Sequence, residues 1–203
     1  MQIAIIGTGN VARILTPRLV EAGHAVTLGS RQPDEHSDSP VPVFGLREAI
    51  DAAGVIVNAT PGRSSVEELS SIGAEAYDGK TLIDVGNAVN DSWELVYPHS
   101  SLAEELQKAL PGAHVVKTLN TAAITVLADR SLVGGGGTVF VSSDHEEAKA
   151  TTREFLAAFG WDADSVIDLG ALVSARGAEH YFMMFAAVMR GIGTPTFNIQ
   201  IVR

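Results

Sequence analysis

Short, wholly apolar runs alternate with stretches of helical periodicity along most of this chain. Residues 3–6 (Ile-Ala-Ile-Ile) form an unbroken apolar run closed by Gly7, the pattern of a strand buried on both faces of a parallel sheet. Residues 10–22 place Val11, Ile14, Leu15, Leu19 and Val20 at helical spacing, with Pro17 as an awkward member whose missing donor costs least early in a helix. Gly23-His24 ends that helix, and residues 25–29 read as a second strand. The alternation continues with strands over 55–59, 81–85, 114–119 and 138–142, and helices over 65–72, 101–110, 122–128 and 144–159. Ser101 and Glu104 have the spacing of a capping box. Residues 32–42 read as a polar surface loop, and the glycines 134–137 as a connector free to move over a site as a lid. An edge strand over 166–169 and a long helix over 172–190 close the pattern.

Strands alternating with helices imply a mostly parallel sheet covered on both faces. The rhythm breaks near residue 165. The expectation is therefore a doubly wound α/β domain over residues 1–164, with a small α-rich C-terminal extension over 165–203. A chain of 203 residues is long enough to bury a core without staples. The absence of cysteine excludes a disulfide framework, thiolate metal ligation and a cysteine nucleophile. Lys plus Arg (14) against Asp plus Glu (24) gives a net charge of −10, which counts against nucleic acid or an anionic membrane as a partner. The longest late apolar run, 181–189, is less than half a bilayer span, and no basic segment precedes the first apolar run. A cytoplasmic protein is expected. The six histidines show no metal-ligand spacing, so no metal is expected, and no G-x-S-x-G elbow is present.

The informative segment is Gly7-Thr8-Gly9-Asn10-Val11-Ala12, directly after the first strand and opening the first helix. Gly7 permits a tight turn, Gly9 lets the backbone approach a diphosphate, and Ala12 permits close packing of helix on strand. The free N–H groups of that helix then hold the phosphates, as in a Rossmann-type dinucleotide site. At the end of the second strand, where an acidic residue would bind the ribose 2′-OH of NAD, stand Gly29-Ser30-Arg31. A hydroxyl and a guanidinium suit a 2′-phosphate, so NADP is favoured. Asp34 and Glu35 would repel that phosphate unless the loop carries them away. Three more strand ends point to the same crevice: Asn58-Ala59-Thr60-Pro61-Gly62, Val85-Gly86-Asn87-Ala88 and Leu119-Asn120-Thr121-Ala122. Singly, each is equally well explained as helix-capping turn chemistry; together they favour a ligand cleft. The apolar stretch Tyr181-Phe182-Met183-Met184-Phe185 is either a core element or the contact with a second subunit.

The segments IIGTGNVA, GHAVTLGSR, VIVNATP, LIDVGNAV, VVKTLNT, VFVS, IDLGALVSARGAEH and GIGTPTFNIQIV, in this order over nearly the whole chain, resemble the NADP-dependent oxidoreductases of the coenzyme F420 (deazaflavin) type. The same domain resembles the reductase domain of membrane-bound metal reductases. The resemblance implies hydride transfer between NADP(H) and a deazaflavin as second substrate, with no side-chain acid or base required. It implies that Gly7, Thr8, Gly9, Asn10, Val11, Ser30 and Arg31 hold the adenosine and phosphate end of NADP. Ala59, Thr60 and Pro61, with Gly86, Asn87 and Ala88, would line the ribose and nicotinamide side, and Leu119, Asn120 and Thr121 would face the second, ring-shaped substrate. It also favours a homodimer formed through the C-terminal helix. Family members often carry a further basic residue after the Ser-Arg pair; here Gln32-Pro33 follows. Lys117, Arg176 and Arg190 are the candidates for a local basic rim around an anionic acceptor. Two other readings stand beside this one: reduction of a flavin or other acceptor, and a non-catalytic NADP(H)-binding redox sensor.

Overall fold

A computed structural model describes residues 1–202. Five parallel pairings build one six-stranded sheet from β1 (Gln2–Ile6), β2 (Ala25–Ser30), β3 (Val43–Gly45), β4 (Val55–Asn58), β5 (Thr81–Asp84) and β6 (His114–Lys117). Their spatial order is β3-β2-β1-β4-β5-β6. The order reverses between β1 and β4, and in open α/β sheets the crevice at such a reversal, beyond the carboxyl ends of the strands, is where ligands bind. A second parallel pair, β7 (Val139–Val141) and β8 (Val166–Asp168), joins the β6 edge through reciprocal hydrogen bonds between Lys117 and Ser142.

Helices α1 (Asn10–Glu21), α2 (Leu46–Asp51), α3 (Ser65–Ser70), α4 (Leu102–Ala109), α5 (Ile124–Ala128), α6 (Glu146–Ala157) and α7 (Ala175–Ile192) cover the sheet. Two apolar clusters form, one around Ile3, Ile5, Leu15, Val57, Phe155 and Trp161, the other around Ala4, Ile6, Ile56, Tyr77, Leu82 and Leu106. Alternate residues of β1 and β4 fall in different clusters, as side chains pointing to opposite faces must. The Ser101 hydroxyl accepts the Glu104 N–H at 3.1 Å and so caps α4; the Glu104 carboxylate accepts from that hydroxyl at 2.9 Å instead of from the Ser101 N–H, so only half of the expected box forms.

Several expectations need correction. The short β3 and α2 fill residues 43–51, where three residues are too few for a periodicity to show. Pro17 lies in the eighth position of α1, past the free N–H groups of its first turn, and the helix runs through it. In α1, Leu15 and Leu19 are buried but Val20 is 46% exposed, because it is rotated past the apolar face. The 134–137 glycines form no lid over the cleft described below. Thr138 N–H donates to Ile199 O at 2.8 Å, and a side chain at Gly137 would meet Asn198 at 2.6 Å, so the C-terminal segment holds this run down. The closing helix divides its faces: Ala175, Ala178, Glu179, Phe185 and Ala186 are buried, whereas Met184 and Ile192 are exposed.

Candidate functional site

β1 turns at Gly7 with φ of +113°, and a Cβ there would lie 2.9 Å from the Ala59 carbonyl oxygen. Glycine is thus required by the fold itself at this position. Gly9 differs. It is the N-cap residue of α1, has φ of −77°, makes no side-chain cap, and nothing lies within 4 Å of where its Cβ would be. The first turn of α1 carries no acidic residue, so its unpaired N–H groups and the positive end of its dipole face open space. A cleft of about 570 Å³ opens there. Gly7, Thr8, Gly9, Asn10, Val11, Ser30, Arg31, Ala59, Thr60 and Pro61 line it, so the ends of β1, β2 and β4 meet there, while the 85–88 and 119–122 strand ends expected at the same crevice do not.

Arg31 is exposed on the wall of the cleft. Arg18, Arg47, Arg63, Arg130, Arg153 and Arg176 are each paired with a carboxylate; among the described residues nothing engages the guanidinium of Arg13, Arg31 or Arg190, and of these three only Arg31 lines the cleft. The loop after it turns at residues Pro33–His36. That turn carries Asp34 to a separate hollow, whereas Glu35 stays on the cleft wall with the Gln32 amide donating to it at 2.9 Å. His36, which nothing in the sequence singled out, places Nε2 3.2 Å from Thr8 Oγ1. This contact separates the cleft from a smaller cavity of about 310 Å³ lined by Arg13, Thr16 and Asp38.

On the other side, the fully buried Asn58 shapes the Thr60-Pro61-Gly62 turn. Its Oδ1 accepts from Thr60 N (3.2 Å) and Thr60 Oγ1 (2.6 Å), and its Nδ2 donates to Asp84 Oδ1 (3.0 Å). Gly86, Asn87 and Ala88 do not line the cleft. They back the turn so closely that a Cβ on Gly62 would collide with the Asn87 carbonyl. Asn87 Nδ2 donates to Asn120 O at 2.9 Å, and Asn120 Nδ2 donates to Asn87 Oδ1 at 3.0 Å, which zips two strand-end loops together. Leu119, with φ of +49°, and Asn120 are buried in this zipper. Thr121 lines a separate apolar hollow of about 190 Å³ beside Ala178 and Tyr181.

The expected basic rim does not form. Lys117 is buried between Asp84 (2.7 Å) and Glu179 (2.8 Å), and Arg176 is bound to Glu104 (2.7 Å). Burial alone would lower the Lys117 pKa, but the two carboxylates outweigh it and hold the ammonium above the usual lysine value. Arg190 remains exposed near the end of α7.

Comparison with known proteins gives this geometry a lineage. A family profile described as NADP oxidoreductase, coenzyme F420-dependent, matches residues 2–88. A solved structure from Arthrobacter sp. FB24, described as an F420-dependent NADP-reductase, superposes with a TM-score of 0.92 at 35% identity, with both chains fully covered. The F420-dependent NADP reductase of Methanothermobacter marburgensis is 29% identical over 210 residues, covering 88% of each chain. The metalloreductase STEAP3 of Rattus norvegicus is 33% identical over 181 residues; these cover 88% of this chain and 36% of that protein, so the chain spans about a third of the curated metalloreductases it matches. A doubly wound sheet, a glycine turn under an uncapped helix and this likeness over the full length agree: the chain belongs to the coenzyme F420-dependent NADP oxidoreductase family.

Proposed function

We propose that this protein binds NADP(H) in the cleft at the β1–β4 switch point and exchanges a hydride with a deazaflavin. The observation that carries the reading is the open, uncapped N-terminus of α1 beneath Gly9, bordered by the unpartnered Arg31. Thr8, Gly9, Asn10 and Val11 hold the diphosphate, and Ser30 and Arg31 the 2′-phosphate. Ala59, Thr60 and Pro61 lie along the ribose and nicotinamide side, with Gly86, Asn87 and Ala88 supporting them from behind. The nicotinamide supplies the hydride chemistry; the chain supplies alignment and a dry wall. Thr121, in the hollow beside Ala178 and Tyr181, lies on the acceptor side, and Leu119 and Asn120, buried in the zipper, support that side from within. The exposed face of α7, including Met184 and Ile192, pairs with a second copy of the chain. Among the described residues no helix is long and apolar enough to cross a membrane.

A second reading is reduction of a flavin or other acceptor; the 33% identity to a protein named a metalloreductase supports an acceptor other than a deazaflavin. Loss of NADPH absorbance in stopped flow, on mixing with oxidised deazaflavin or with flavin, tests both. Turnover with deazaflavin alone supports the first reading and turnover with flavin alone the second. Tight NADPH binding without turnover on any acceptor would refute both and leave a redox sensor.

A further inference from the structure

Beneath the Thr60 side of the cleft lies a set of buried charges that alignment of a hydride donor does not by itself require. Lys117 on β6, Asp84 at the end of β5 and Glu179 on α7 are 1%, 0% and 2% exposed. Lys117 Nζ donates to Asp84 Oδ2 at 2.7 Å, to Glu179 Oε1 at 2.8 Å and to the Gly86 carbonyl. Glu179 Oε2 accepts the Leu102 N–H at 3.0 Å, and Asp84 Oδ1 accepts from Asn58 Nδ2 at 3.0 Å and from Gly86 N at 3.1 Å. One ammonium thus faces two carboxyl groups, so the cluster holds one more acidic than basic side chain where water does not screen them. Well-packed apolar side chains of the same volume are often at least as stable as a buried ion cluster, so its presence is weak evidence for a role in stability. Its connections do point somewhere. Asp84 reaches the cleft-lining Thr60 hydroxyl through Asn58 alone, and Gly86 is gripped at both its N–H and its carbonyl.

We infer that Glu179 is a positioning and charge-setting residue: through Lys117 and Asp84 it fixes the Thr60 and Gly86 loops and leaves the nicotinamide end of the cleft one negative charge, which favours the oxidised, cationic ring over the neutral reduced one. The inference rests on the reading of the cleft as an NADP(H) site. The charge lowers the free energy of bound NADP+ relative to bound NADPH, so on the protein it favours hydride transfer from NADPH to an oxidised acceptor of the deazaflavin or flavin class, while the overall equilibrium stays that of the two couples. The C4–H bond of NADPH breaks with its electron pair, the new C–H or N–H bond forms on the acceptor ring, and the proton completing the acceptor's reduction comes from solvent.

The test is calorimetric titration of wild type and Glu179→Gln with NADP+, NADPH and 2′,5′-ADP. Glu179→Gln lowers the affinity for NADP+ relative to NADPH by about 10-fold, since one charge acts on the oxidised ring only. Affinity for 2′,5′-ADP, which reaches only the Arg31 end, stays within about 2-fold, as for distant sites. Asp84→Asn removes the same unit of charge from the other carboxylate and moves the ratio in the same direction; it decides the matter if Glu179→Gln does not fold. Glu179→Asp keeps the charge and keeps the ratio. A role in stability alone would weaken NADP+ and NADPH by equal factors, so an unchanged ratio in the folded neutral variants overturns the inference and leaves the cofactor reading standing. No binding of either nucleotide by wild type would instead remove that reading.

Discussion

Replacing Gly9 by alanine separates what the fold needs from what a ligand needs. The backbone at Gly9 has φ of −77° and ψ of −163°, which alanine adopts without strain, and its Cβ would meet no protein atom within 4 Å. Alanine is a poorer N-cap than glycine, so the cost to stability is at most about 1 kcal/mol, a fall in Tm of roughly 2–4 °C for a chain of this size. The new methyl group projects into the space through which a diphosphate would approach the first N–H groups of α1. A displaced diphosphate loses charge-assisted hydrogen bonds, each worth about 1.5–3 kcal/mol, so affinity for NADPH should fall roughly 10- to 100-fold. Gly7→Ala is the counterpart. Its φ of +113° and the 2.9 Å approach to Ala59 O predict a stability loss of about 3 kcal/mol before any ligand is considered. Thermal melts give the first quantity and calorimetric titration with NADPH the second. Wild-type NADPH affinity in a well-folded Gly9→Ala protein would refute the claim that main-chain amides of α1 hold the diphosphate.

Arg31→Ala should weaken NADP+ binding about 10-fold or more while leaving NAD+ nearly unchanged, because the guanidinium meets only the 2′-phosphate; equal losses by titration would remove Arg31 from that role. Lys117→Met strands Asp84 and Glu179 in the interior and should cost about 3–5 kcal/mol in urea denaturation; a loss under about 1 kcal/mol would contradict the pairing of Lys117 with both carboxyl groups. His145 stacks on His114 with ring centroids 4.2 Å apart. Burial, and then the neighbouring His114, hold its pKa below 6.5 against the pull of Asp144. The unfolded chain therefore takes up the proton first, and stability is lost as pH falls from 6.5 through the folded-state value. His145→Phe keeps a stacked ring and should flatten the dependence of Tm on pH between about 7 and 5; identical slopes would contradict the assignment.

The glycine turn and the Ser30-Arg31 pair were legible because each obeys a local rule. A turn with positive φ admits glycine, and a β–α junction presents free N–H groups wherever it occurs in a chain. The same locality made the long elements readable, since an apolar run such as residues 3–6 records burial on both faces directly. Three-residue β3 and the 33–36 turn left no such record, and with them His36 escaped notice. The basic rim failed for a related reason: a lysine reads the same in sequence whether it faces solvent or two carboxylates 33 and 62 residues away.

By itself, the sequence determined that strands alternate with helices, that the first β–α turn is shaped for an anion, and that a guanidinium follows the second strand. Each is a property of neighbouring residues, set by backbone sterics and hydrogen-bond valence. Only the tertiary structure decided that Thr60 stands at the cleft while Gly86 to Ala88 stand behind it, that Asn87 and Asn120 interlock, and that Lys117 neutralises one of two buried carboxylates. These are contacts between strands paired across the sheet, and their partners are chosen by strand order and packing rather than by spacing along the chain.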